Sequence, residues 1–73
     1  MKISARNVIK GKVKSITKGA VNAEVTLQIA PGAEIVSIIT LGAVRSLGLK
    51  KGVEAYAIIK ASSVMVGVPH SRR

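Results

Sequence analysis

Residues 21–30 read "VNAEVTLQIA", and the alternation in this stretch decides the architecture. Val21, Ala23, Val25, Leu27 and Ile29 share one parity, while Asn22, Glu24, Thr26 and Gln28 share the other. Successive side chains of an extended chain point to opposite faces, so this period of two predicts a half-buried β-strand. Pro31 and Gly32 follow with turn chemistry, because Pro presets its φ and Gly tolerates positive φ. "AEIVSIIT" at residues 33–40 then resumes an extended, β-branched run. A hairpin across Pro31 and Gly32 is the expectation.

Upstream, "NVIKGKVKSIT" at residues 7–17 is also strand-like, with Gly11 marking a bulge or tight bend. Lys10, Lys12 and Lys14 share one parity and are expected to line a solvated face. Lys18, Gly19 and Ala20 read as the turn into the next strand. Downstream, Thr40 is placed to cap a short helix, "LGAVRSL", in which Leu41, Val44 and Leu47 recur every three residues and Gly48 supplies the stop. Lys50, Lys51 and Gly52 make a turn, "VEAYAIIKA" a fourth strand and "SVMVGV" a fifth, ended by Pro69. Five short strands with one helix between the third and fourth predict an all-β, OB-like barrel. Residues 1–68 form the single expected domain, and residues 69–73 a short, loose basic tail.

Seventy-three residues bury little surface, and this apolar content has an unusual makeup. There is no Phe or Trp, Tyr56 is the sole aromatic, and no cysteine offers a disulfide. The core must therefore be thin and aliphatic, and self-association is the remaining remedy. Twelve Lys and Arg face three acids, Glu24, Glu34 and Glu54, for a formal net charge of +9. Such a balance favours an anionic partner. No apolar run approaches the length of a membrane span, and Lys2 is followed by no apolar signal core, so a cytoplasmic protein is expected.

Catalysis has little to work with. His70 lies in the tail, no serine has an evident acid–base partner, and the three acids are scattered. Nucleic-acid binding is the alternative reading of a basic OB-like barrel. Such barrels stack bases on aromatic side chains, and only Tyr56 is on offer. A small oxyanion suits the residue types better. A tetrahedral dianion that carries no proton at neutral pH needs donors alone, with no carboxylate nearby. "SARN" supplies Ser4, Arg6 and Asn7, and "KASS" supplies Lys60, Ser62 and Ser63, with small residues that let backbone N–H groups approach.

Taken in order and spacing, "SARN", "KGKV", "KGAVNAEVTLQI", "SIIT", "LGLKKG" and "AIIKASSVMV" resemble the molbindin family of small molybdate-binding proteins, each a single TOBE-type domain. The likeness covers roughly residues 2–66. It implies a free-standing binder of molybdate, and often tungstate, for molybdenum storage or homeostasis. It also implies a homohexamer built as a trimer of dimers, with pockets between subunits. By that resemblance one pocket uses Ser4, Ala5, Arg6, Asn7, Thr40, Lys60, Ala61 and Ser62. A second kind, near a threefold axis, draws on Lys18, Gly19 and Ala20. No cofactor, directly bound metal, membrane or nucleic-acid partner is implied, and no enzymatic activity. One position departs from the pattern: Ala43 stands where relatives commonly carry a hydroxyl residue.

Overall fold

The computed structural model describes residues 1–70. Its elements run β1 (Asn7–Lys18), β2 (Asn22–Ala30), β3 (Ala33–Thr40), α1 (Leu41–Ser46), β4 (Glu54–Ile59) and a closing 3-10 turn (Ala61–Ser63). All strand pairs are antiparallel, in the order β3-β2-β1-β4, and the sheet curls into a half-barrel. The OB-like class and the single helix between β3 and β4 are as the sequence predicts.

The alternation at residues 21–30 sets the core. Ala23, Val25 and Leu27 are buried on the concave face, joined by Val13, Val44 and Ala57. Ile9, Ile35, Ile39, Leu49 and Ile59 pack around them, so the core is aliphatic throughout. Val21 departs from the expectation: it precedes β2 and is 69% exposed. The hairpin at Pro31 and Gly32 forms as expected, with Ala30 opposite Ala33 and Gly32 at a φ of 75°.

Gly11 is not the bulge. The register slips between Val13 and Ser15, leaving Lys14 as the extra residue. Gly11 answers a different demand, because a Cβ there would stand 2.7 Å from the carbonyl oxygen of Gln28. Thr40 caps α1 as expected, its Oγ1 accepting from the Ala43 N–H at 3.0 Å. Leu47 does not join the core. Gly48, at a φ of 65°, turns the chain so that Leu49 packs there and Leu47 stays exposed.

The fifth expected strand, "SVMVGV", finds no neighbour in its own chain. Beyond Lys60 the backbone tightens into the 3-10 turn, and residues 64–68 run on without a ladder. A strand requires a paired edge, and where the chain leaves β4 the first strand has already ended, Asn7 being paired with Ile59. Met65, Val66 and Val68 are consequently exposed. Of the expected tail, residues 71–73 lie outside the described residues.

Candidate functional site

The antiparallel pairing of β1 with β4 brings the two donor-rich segments together. Asn7 opens β1 opposite Ile59, the last residue of β4. Its Nδ2 donates to the Ile59 carbonyl at 3.3 Å, fastening the two ends. The segment before β1 and the turn after β4 therefore leave the sheet side by side. Ser4, Ala5, Arg6, Ile58, Lys60, Ala61 and Ser62 line one open cleft of about 470 Å³.

The cleft's chemistry is one-sided. Arg6 offers a planar fork of N–H donors, Lys60 an ammonium, and Ser4 and Ser62 hydroxyls. No lining residue is acidic. Ala61 and Ser62 occupy the first turn of the 3-10 segment, where N–H groups have no partner within the turn. The charged donors are exposed, so in the isolated chain water and salt screen them. Ile58 forms an apolar patch among these donors. The period-two parity of "AYAIIK" places it on the face of Lys60, a signal carried by spacing and not by polar residue type.

Asn7 does not line this cleft; it holds the cleft's two walls together. Thr40 does not line it either. It ends β3, the opposite edge strand, where it lies in register with Asn22. Leu41 N–H donates to the Val21 carbonyl at 3.0 Å there, so the start of α1 sits beside the turn between β1 and β2. Lys18, Gly19 and Ala20 form that turn, closed by the Gly19 N–H on the Asn22 carbonyl at 2.8 Å. One chain thus groups Ser4, Ala5, Arg6, Lys60, Ala61 and Ser62 near the start of β1, and Thr40 with the 18–20 turn near its end. At ~3.3 Å per residue, the length of β1 separates the groups by roughly 35 Å along the strand.

No group of three or more potential metal ligands occurs among the described residues. No described helix is long and apolar enough to cross a membrane.

Known proteins share both this sequence and this shape. The TOBE domain profile matches residues 3–66. Molybdenum-pterin-binding protein 1 of Clostridium pasteurianum is 53% identical over 66 residues, spanning 90% of this chain and 97% of the relative. A molybdate-binding protein from Sporomusa ovata superposes with a TM-score of 0.86 at 38% identity, over 93% of this chain and all of that one. The cytoplasmic molybdate-binding protein ModG, crystallised with molybdate bound, gives a TM-score of 0.89 at 56% identity, over 94% of this chain and 49% of that longer one. On sequence and fold together, the chain belongs to the TOBE domain family, in its molbindin group.

Proposed function

We propose that this protein captures molybdate reversibly at subunit interfaces of a homo-oligomer, acting in the cytoplasm in molybdenum storage or homeostasis. The observation that carries the reading is the acid-free cleft uniting Ser4, Arg6, Lys60 and Ser62. Donors without acceptors suit an oxyanion that holds no proton at neutral pH; hydrogen phosphate would leave its own O–H without a charged partner. Molybdate binding by the relatives of like sequence and shape supports the choice of anion, and tungstate shares its geometry and charge.

Size supports the interface. A four-oxygen anion displaces only a few water volumes of ~30 Å³ each, far less than this cleft holds. A second wall must close over the ligand, and the exposed donors strengthen once that wall excludes water. Thr40 of another copy is a fitting contributor, with the 18–20 turn supplying a second kind of pocket. The mechanism is capture without bond making: guanidinium, ammonium, hydroxyl and main-chain donors replace the dianion's water shell. An anion held only by the folded assembly stabilises that assembly by mass action.

Calorimetry against molybdate, tungstate, sulfate and phosphate tests the reading. Molybdate is expected to bind and phosphate, whose O–H finds no charged acceptor, to bind far more weakly. Sulfate, smaller but equally proton-free, tests whether the pocket also selects by size. Equal affinity for phosphate would remove the selectivity, and a heat signal from single-stranded DNA alone would favour the nucleic-acid alternative.

A further inference from the structure

The other half of β1 carries a feature that the cleft of Arg6 and Lys60 does not use. β4 pairs with β1 only over residues 7–12. Val13 is the last residue bonded on that side, its N–H donating to the Val53 carbonyl at 2.9 Å and its carbonyl accepting from Gly52 N–H at 2.8 Å. Beyond Val13, β1 has a strand neighbour in β2 alone. The hairpin closure at Gly19 and Asn22 fixes the phase of what remains. Main-chain groups alternate sides along a strand, so Ser15 and Thr17 bond toward β2, and those of Ile16 and Lys18 face the open side.

That open edge is one wall of a cleft of about 390 Å³ lined by Lys14, Ser15, Ile16, Lys18, Leu49, Lys50 and Lys51. Its second wall is held in place. Leu49 N–H donates to the Val44 carbonyl at 3.0 Å, and the turn at Gly52 is anchored to Val13. Four ammonium groups surround the cleft and one, that of Lys14, pairs with Glu34. Three remain, on Lys18, Lys50 and Lys51, with no acidic partner among the described residues.

Lysines commonly guard an open strand edge against pairing with further copies. Here they disfavour pairing with a strand from another copy of this chain, which is basic overall and whose unpaired residues 64–68, "VMVGV", carry no acid. The same charges admit a strand of opposite sign. We propose that the edge of β1 over residues 14–18 docks an extended, acid-rich segment of a partner protein. The segment pairs with the main chain of Ile16 and Lys18 and sets its carboxylates against Lys18, Lys50 and Lys51. Main-chain pairing supplies affinity and alternate side chains supply selection. A nucleic-acid strand matches the charge but has no amide ladder to complete the edge.

The test titrates the intact protein with a fluorescein-labelled Glu-Val-Glu-Thr-Glu-Val-Glu peptide, read by anisotropy. Two further peptides carry N-methyl groups on one or the other alternate set of amides, which leaves every charge in place. Methylation of one set, and the double substitution Lys50→Glu with Lys51→Glu, are each expected to weaken binding by about tenfold or more. Binding left unchanged by methylation of both sets, each tested in turn, overturns the proposal. So does undiminished binding to the double variant, or equal competition from a single-stranded oligonucleotide of the same charge. The double variant's molybdate binding at the Arg6–Lys60 cleft, taken as the part of the isotherm that Arg6→Ala removes, is measured in parallel and is expected to be unchanged. Lys50 and Lys51 lie outside the oxyanion cleft, so failure here is distinguishable from failure of the molybdate reading.

Discussion

The side chain of Asn7 donates to the carbonyl oxygen of Ile59 at 3.3 Å, and this bond joins the start of the first strand to the end of the last. Arg6 and Lys60 stand one residue beyond on either side. Their closeness follows from strand register, with no loop needed to carry either across the molecule. Replacing Asn7 by Ala removes one neutral hydrogen bond, worth about 0.5–1.5 kcal/mol net. Molybdate affinity is expected to fall although Asn7 does not line the cleft. Calorimetry together with a melting curve checks both effects.

Arg6→Ala and Lys60→Ala each delete a charged donor from the cleft. A hydrogen bond to a charged group is worth about 1.5–3 kcal/mol, so each change should weaken molybdate binding about ten- to hundredfold. Arg6→Lys should recover only part of the loss, because an ammonium lacks the two-pronged fork. If neither alanine variant binds more weakly, the anion sits elsewhere.

Gly11 meets the carbonyl of Gln28 too closely for any side chain. Gly11→Ala must push β1 and β2 apart, and overpacking of this kind costs about 1–3 kcal/mol. Chemical denaturation should show the loss. The same substitution at Gly67, where a Cβ would meet nothing within 4 Å, provides the control.

Thr40 serves the fold whatever else it does. Thr40→Ala removes the cap on α1 and should cost about 0.5–2 kcal/mol, whereas Thr40→Ser keeps the accepting oxygen and most of that stability. A molybdate affinity that falls in the alanine variant and is retained in the serine variant would add the ligand to the hydroxyl's duties.

Met65, Val66 and Val68 are 93%, 90% and 85% exposed in the single chain. That much apolar surface within four residues calls for a cover. Val66→Lys is expected to shift the protein toward smaller species in sedimentation or light scattering. An unchanged mass would mean that this segment lies outside the subunit contacts.

The strands and the helix were legible because each depends on local spacing. Alternation at residues 21–30 marked β2, Pro31 and Gly32 marked the hairpin, and Thr40 with Gly48 bracketed α1. Features set by neighbouring strands were not. The bulge at Lys14 depends on how Val13 fits between β2 and the 52–53 turn, while the nearby Gly11 answers the close approach of the Gln28 carbonyl. "SVMVGV" has a strand's composition, yet pairing needs an edge, and composition does not say whose. Within the site, residue types singled out Arg6 and Lys60, and register brought them together. Nothing in the local pattern around Thr40 said that it would lie on the far edge strand.

The distance between Thr40 and Arg6 has a genetic corollary. If each pocket takes its guanidinium from one polypeptide and its threonine from another, the two defects become separable. Chains carrying Arg6→Ala and chains carrying Thr40→Ala, each impaired alone, would complement one another when co-expressed, because some mixed assemblies recover an intact pair.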